Sequence, residues 1–358
     1  MSGAWMGYEI DFLPVGDSNG DAICIRYGSQ NEGFHIHVVD AGYSDTGQAV
    51  VDHINKYYGF PRFIDHVVVS HADADHATGI KTVLENFEVG CLWMNRPWLY
   101  AAEIISDFHG NFTVAGLAAT IRDAYPILAE LEEYAHERGI PVREAFAGHA
   151  IGPFRILAPR RDRYLSLIAQ FDRTPTSYAA PIKGPLRKLL ETAKALLHFI
   201  ETWADEKLEE NPPPVSASNE SCVVQLGLID GRALLLTADA GPIALTEAAD
   251  VAEYLNIKQQ LDVVQVPHHG SRRNVTPSVL DRWLGRVVAE GESRGYAFCS
   301  VGANKPEYPR KRVQNAFLRR GYGVISTRTT WKSSRHGIAA RPGSVAVHPE
   351  PFVGEYDE

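Results

Sequence analysis

The chain has no run of apolar residues approaching the roughly 20 needed to cross a bilayer as a helix. Its N-terminus shows no charged segment followed by an apolar stretch. No signal peptide and no membrane span are therefore expected, and the default compartment is the cytoplasm. Cysteine is scarce: there are four, and none stand as CxxC. Cys24, Cys222 and Cys299 lie inside apolar, strand-like runs, which argues against a disulfide framework and for buried, reduced thiols. No overall excess of positive charge exists either. The formal net charge is −9, so the molecule as a whole is not a basic nucleic-acid binder. Internal repeats and low-complexity tracts are absent, which removes solenoids and disordered tails from consideration.

What is present is an ordinary globular composition, 45% hydrophobic and 22% charged over 358 residues. That length suits one large domain with an insertion, or two domains. The charge is unevenly placed. Pro267–Ala340 carries fourteen Lys and Arg against four Asp and Glu, so the acidic balance sits in the first three quarters.

Hydrophobic patterning places short strands at Tyr8–Val15, Ala22–Tyr27 and His35–Val39, separated by turn clusters such as GDSNGD. A helix is expected over Gly47–Tyr58, followed by a β-branched, buried strand at Ile64–Ser70. From about Asn95 to Pro214 the character is helical. One long helix covers Phe112–Arg138 with a bend at Pro126, and a second covers Lys183–Glu209. A short strand pair, Val142–Phe146 and Phe154–Leu157, lies between them. Strand signals return with CVVQLGL and RALLLTAD, which read as a hairpin across IDG. Strands DVVQVP, AFCSVG and YGVIST then alternate with helices, two of them Ala244–Asn256 and Pro309–Arg320. The pattern is an α/β sandwich with a largely helical insertion. Residues 1–94 and 215–358 form the main domain, and 95–214 form the insertion.

The chemistry concentrates in SHADADH, at the end of the Ile64–Ser70 strand. His71, Asp73, Asp75 and His76 place two imidazoles and two carboxylates within six residues. Such density repels unless cations neutralise it, and a metal pair is the economical partner. Asp239 ends a second apolar strand, where its two carboxylate oxygens can bridge two ions. His268 and His269, in PHHGS, end a third. Strand termini are where α/β proteins hold functional side chains over a crevice.

These residues, in this order, resemble the metallo-β-lactamase superfamily. The form with Asp in place of the middle His resembles the hydrolase domain of ComEC-type DNA-uptake proteins and their free-standing relatives. VGDSNGDAICI, VVDAG, LLLTADA, VPHHGS, SVGANKPEYP and RTTW carry the likeness between residues 8 and 331. The resemblance implies an αββα sandwich. It also implies a first metal held by His71 and Asp73, a second held by Asp75, His76 and His268, and Asp239 as the bridge. His268 is favoured over His269 as the ligand, with His269 left to orient the site or the substrate. The superfamily has a further His about twenty residues before the bridging Asp. Asn219 stands there in this chain, so an oxygen-rich, weaker first site is expected. Losing imidazoles shifts preference from zinc toward manganese or magnesium.

The expected reaction is phosphodiester hydrolysis by metal-activated water, with Asp75 also accepting the proton of the nucleophile. Nucleic acid or another phosphoester is the expected substrate, contacted by Ser271, Arg272, Arg273, Asn304, Lys305, Tyr308 and Arg328. Two alternatives stand beside it. One is hydrolysis of a small phosphoester, cyclic nucleotide, lactone or thioester. The other is a non-catalytic scaffold with a degraded metal site, for which the helical middle offers a surface to a protein partner.

Overall fold

A computed structural model describes residues 7–175 and 197–358. In chain order its strands are β1 (Tyr8–Phe12), β2 (Ala22–Ser29), β3 (Gly33–Ala41), β4 (Phe63–Val68), β5 (Glu88–Trp93), β6 (Val142–Arg143), β7 (Ala150–Ile151) and β8 (Phe154–Ala158). They continue with β9 (His198–Ile200), β10 (Val224–Ile229), β11 (Arg232–Leu236), β12 (Val263–Gln265), β13 (Gly295–Cys299), β14 (Tyr322–Ser326), β15 (Lys332–His336) and β16 (Glu355–Asp357). Two seven-stranded sheets result, ordered β15-β1-β2-β3-β4-β5-β6 and β14-β13-β12-β11-β10-β8-β7. β9 and β16 pair separately.

Side-chain alternation explains why the sheets stack. In β2, Ile23, Ile25 and Tyr27 enter the core between the sheets, while Ala22 and Cys24 face the helices outside. In β11, Leu234 and Leu236 point between the sheets, and Ala233 and Leu235 point outward. This period of two gives each sheet two apolar faces. Phe12 and Phe298 stack across the inner interface with ring centroids 4.7 Å apart. The helix Ser44–Tyr58 covers the first sheet with Val50, Val51 and Ile54. The helices Pro242–Tyr254, Pro277–Leu284 and Lys311–Arg319 cover the second with residues such as Leu245, Trp283 and Phe317. Three apolar clusters fill three interfaces, which is the expected αββα sandwich. Among the described residues no helix is long and apolar enough to cross a membrane.

Local chemistry sets several boundaries. The β10–β11 hairpin turns at Asp230 and Gly231, both with positive φ, as the IDG sequence suggests. The helical stretch 112–138 is two helices, Val114–Ala124 and Pro126–Glu137. Tyr125 between them is non-helical because the proline ring crowds the residue before it.

Two expectations need correction. The expected strands Val142–Phe146 and Phe154–Leu157 do not pair with each other. β6 joins β5 in parallel within the first sheet, whereas β7 and β8 edge the second sheet against β10. The chain crosses from one sheet to the other between them, so the middle segment is woven into both layers. The helix Lys183–Glu209 lies outside the described residues up to 196, and from 197 onward the chain is not helical. There it forms β9 and an extended segment.

The cause of the second difference is charge pairing. Arg319, fully buried, donates to Glu201 at 2.5 Å and to the Trp203 carbonyl. Arg320 pairs with Glu206 and Asp281, and Arg312 with Glu209 and Glu358. The acidic residues at the end of that expected helix are instead drawn out along three arginines of the helix Lys311–Arg319 and its C-terminal cap. Removing one partner of a buried ion pair leaves the other charge desolvated. Arg319→Ala should therefore lower stability by about 3–5 kcal/mol, read as a lower midpoint in chemical denaturation.

A second buried group makes stability pH-dependent. His37 is fully buried against Phe154 and His66, and neither ring nitrogen meets a hydrogen-bonding group among the described residues. Burial, then the neighbouring His66, pushes its pKa well below the ordinary 6.5. Below pH 6.5 the unfolded chain binds the proton first, so stability should fall progressively as pH drops from there toward the lower folded value. His37→Leu should flatten that slope in denaturation curves measured between pH 7.5 and 5.

Candidate metal centre

Three strand ends meet at one edge of the sandwich. β4 runs through Val69 and Ser70 to His71, β11 through Thr237 and Ala238 to Asp239, and β12 through Val266 and Pro267 to His268 and His269. β3 and β4 are parallel, as are β11 and β12, so each pair delivers its carboxyl ends together. The backbone there is strained. Asp40, Ala238, His268 and His269 all have positive φ without being glycine. Such positions cost on the order of 1–3 kcal/mol each and gather at functional sites.

Asp239 is the hub, and is 4% exposed. Its Oδ1 faces His76 Nε2 at 3.4 Å and His269 Nε2 at 3.6 Å. Its Oδ2 faces His268 Nε2 at 3.4 Å and His71 Nε2 at 3.9 Å. Asp73 Oδ2 lies 3.4 Å from His71 Nε2. Asp75 Oδ2 lies 3.9 Å from both His76 Nε2 and His269 Nε2. Burial alone would raise the Asp239 pKa, but the surrounding His268, His76 and His269 hold it well below the usual carboxylate range. The sequence expectation thus converges in space. His71, Asp73, Asp75, His76, Asp239 and both histidines of PHHGS share one site, and His269 rather than His268 stands beside Asp75 and His76.

Several groups orient this set, and the sequence reading assigned no role to most of them. Asp40 accepts from the Ser70 amide at 2.8 Å, the Ser70 hydroxyl at 2.5 Å and His76 Nδ1 at 2.8 Å. The proton on Nδ1 leaves His76 Nε2 as the free donor atom. His269 Nδ1 donates to the Ser300 carbonyl at 2.8 Å, with the same effect. Gln265 accepts from the Thr237 and Ala238 amides and donates to Asp21, which ties the 16–21 loop to the end of β11. Gly20 packs so closely on Asp75 that a Cβ there would lie 2.5 Å from its carbonyl oxygen. Asp21 and Asp40 were visible as acidic residues in GDAICI and VVDAG, within the apolar runs that became β2 and β3.

Asn219 is a brace. Its Nδ2 donates to the Asp239 carbonyl at 2.8 Å, and its Oδ1 accepts from the Ser216 hydroxyl. Its hydrogen bonds thus run to the Asp239 backbone and the Ser216 hydroxyl rather than to the carboxylates of the site. Asn274 supports the same carbonyl at 2.9 Å.

Beside His268 opens a cavity of about 540 Å³ lined by Ser216, Asn219, Ser271, Arg272, Arg273, Tyr308 and Arg310, among others. Arg272, Arg273 and Arg310 form no ion pair with a carboxylate among the described residues. Burial, then Arg312 and Arg310, hold the Arg272 pKa below its ordinary value. Arg310 lies over the Tyr308 ring. Arg328 instead braces the neighbouring loop by donating to the Tyr308 carbonyl at 2.8 Å. Asn304 and Lys305 do not line the cavity. Their loop packs on residues 16–19 through hydrogen bonds from Gly302 to Asn19 and from Ala303 to Gly16.

The residues fit divalent cations. Nε2 of His71, His76 and His269 and Oδ1 of Asp239 are buried without a hydrogen-bonding partner among the described residues. Donor atoms of His71, His76 and Asp239 lie within 4.8 Å of one another, as do those of Asp75, His76 and His269. Around an ion with bonds near 2.1 Å, tetrahedral ligand atoms stand about 3.4 Å apart, and the histidine nitrogens lie 3.4–3.9 Å from the Asp239 oxygens.

No family model and no curated protein matches the chain. Among solved structures, it is similar to a point mutant of the CmlA beta-hydroxylase, with 12% identity and a TM-score of 0.41. That match covers 92% of this chain and 54% of the other, so the chain spans about half that protein's length. It is similar to a mutant metallo-beta-lactamase from Cronobacter sakazakii at 16% identity and TM-score 0.30, covering 70% and 74% of the two chains. It is also similar to MEM-A1, a subclass B3 metallo-beta-lactamase isolated from a soil metagenome library, at 12% identity and TM-score 0.33, covering 80% and 85%. At these scores the likeness carries no argument about the site, which stands on its own geometry.

Removing the Asp40 carboxylate should free the His76 ring to take the wrong tautomer. Asp40→Ala should weaken metal affinity about 10–100-fold, in the range found for lost supporting carboxylates. Titration against a competing chelator measures it.

Proposed function

We propose that the chain is a metal-dependent hydrolase of phosphoesters, acting most directly on nucleic-acid phosphodiesters. The observation that carries this reading is the pairing of two features. One is a centre of imidazoles and carboxylates with unpartnered donor atoms. The other is a cavity beside it, lined by Arg272, Arg273 and Arg310, whose cations have no carboxylate partners. Arginine matches phosphate oxygens with a fixed fork of donors, and an anion among these three relieves their mutual crowding. The resemblance of HADADH, the strand-ending Asp239 and PHHGS to the metallo-β-lactamase superfamily supports the hydrolase class.

His71, Asp73, Asp75, His76, Asp239, His268 and His269 would hold the metal ions, which when bound supply Lewis acidity and make water acidic enough to ionise near neutral pH. The chain's own groups do the rest. Arg272, Arg273 and Arg310 bind and orient the non-bridging phosphate oxygens. Asp75, a quarter exposed at its side chain, faces the open side of the centre and accepts a proton from water there. Asp40 and the Ser300 carbonyl orient the His76 and His269 rings, and Asn219 and Asn274 hold the Asp239 backbone carbonyl, so little reorganisation accompanies reaction.

The test is cleavage of single-stranded DNA, duplex DNA, RNA and bis(p-nitrophenyl) phosphate with manganese, magnesium or zinc. At least one should be cleaved, and inactivity on all of them with metal bound overturns the phosphoester reading. Asp75→Ala should lower kcat by about 100-fold or more. Arg272→Ala should act mainly through KM, and should reduce the salt dependence of nucleic-acid binding by about one unit in the log–log slope.

A further inference from the structure

We infer that the chain carries a second ligand site at the open edge of the sandwich, which binds an amphipathic organic anion: an apolar body ending in a carboxylate, sulfonate or phosphate. None of the residues that line it belongs to the metal centre or to the arginine-lined cavity beside it. The inference is therefore independent of the hydrolase reading.

The sequence of one strand makes the opening. β15 and β14 are edge strands of the two sheets, and residues of both line one cavity. β15 is KSSRH and holds no apolar residue. Its register with β1 sets Lys332 opposite Phe12 and Ser334 opposite Ile10. Residues directly opposite in an antiparallel pair share a face, and Phe12 and Ile10 belong to the core between the sheets. Lys332 and Ser334 therefore present a polar face where Phe12 and Ile10 present an apolar one, and the core between the sheets cannot continue to the edge. In its place is a cavity of about 660 Å³, with Tyr296, Phe298 and Ile325 of the second sheet on one side and β15 on the other. That size falls within the roughly 300–1,000 Å³ of small-molecule sites.

The remaining wall is the segment 342–347, which is fastened at its ends. At one end Arg341 is buried, pairs with Glu9 at 2.9 Å and Asp11 at 2.6 Å, and lies over the rings of Tyr57 and Trp331. At the other the Glu350 amide donates to the Val324 carbonyl at 2.8 Å, and Val347 packs on the core between the sheets. Among the described residues no backbone hydrogen bond joins 342–347 to β14 or β15, so the wall stands off both strands and the space between them stays open.

Charge selects the ligand. Lys332, Arg335 and Arg341 line the cavity, and among the described residues no aspartate or glutamate does. Arg341 is neutralised by Glu9 and Asp11. The other two are not. Among the described residues the Lys332 ammonium donates only to the Thr330 hydroxyl, and the Arg335 guanidinium has neither a hydrogen bond nor an ion pair. Both residues are half-buried, so water screens their charge incompletely. Half-buried cations beside apolar rings match an anion with an apolar body. The acid group meets Lys332 and Arg335, and the body covers Tyr296, Phe298 and Ile325.

The test titrates anilinonaphthalene sulfonate, an aromatic sulfonate whose fluorescence reports its burial, into the full-length protein. Binding should saturate at a single site per chain. Lys332→Ala and Arg335→Ala should each weaken it about tenfold, the loss expected for one charge-assisted contact, while metal content measured by elemental analysis stays as in wild type. Ser334→Trp should fill the cavity and abolish saturable binding, with circular dichroism checking its fold; should it fail to fold, the two cation variants decide. Phenylnaphthylamine, the neutral analogue, should bind about tenfold more weakly or worse, and Arg272→Ala should leave sulfonate binding unchanged. No saturable binding to wild type would overturn the inference. So would an affinity unchanged in both cation variants, equal affinity for the neutral analogue, or loss of binding in Arg272→Ala, which would place the probe beside the metal centre. None of these outcomes bears on phosphoester cleavage, which is read separately.

Discussion

The rest of the molecule is arranged around one desolvated carboxylate. Asp239 is almost fully removed from water, and a lone buried charge of that kind costs several kcal/mol. Four imidazole Nε2 atoms stand within 4 Å of its oxygens, and a cation held among them would offset that cost. They come from two strand ends belonging to different sheets, so the site exists only where the two layers are held in register. Backbone strain at Asp40, Ala238, His268 and His269 is stored around the same point. The strain is supported by a network of amide and carboxylate braces, Asn219, Asn274, Gln265, Asp21 and Asp40. Asn219, Asn274 and Gln265 brace the backbone that carries Asp239, and Asp40 holds the far side of the His76 ring.

Register between the sheets is a property of the three apolar interfaces. β2 and β11 each feed two cores at once through strict alternation, so a slip of one residue would expose both faces. The segment from β6 to β8 crosses between the sheets and fixes them to each other on the side away from β15 and β14. On the opposite side the helix Lys311–Arg319 anchors the 197–210 segment and the C-terminus through three buried arginines. Stability and site geometry are coupled, because the site's histidines and carboxylates hang from the strands these contacts position.

The cationic C-terminal quarter separates into two populations that serve different ends. Arg312, Arg319 and Arg320 are buried and neutralised by Glu209, Glu358, Glu201, Glu206 and Asp281. Arg272, Arg273 and Arg310 stand at the cavity mouth without such partners. Arg310 immediately precedes the helix that carries the first group, so the structural clamp also sets where the unpaired guanidinium points. Net charge along the sequence counts all six alike. Only the positions of the carboxylates tell them apart.

The sequence by itself determined the alternation of strand and helix that marks an α/β sandwich, and its motifs implied the αββα layering through their family resemblance. It also determined that SHADADH, Asp239 and PHHGS would end strands, because each follows an apolar, β-rich run. These features are local, and local patterns survive in a string of residues. The tertiary structure alone decided that β6 and β8 belong to different sheets, that residues 197–209 are drawn out of a helix by arginines over a hundred positions later, and that Asn219 hydrogen-bonds the backbone of Asp239. It alone set His268 and His269 on opposite oxygens of Asp239. Each of those outcomes depends on a partner distant in sequence, or on a left-handed backbone that residue type does not announce.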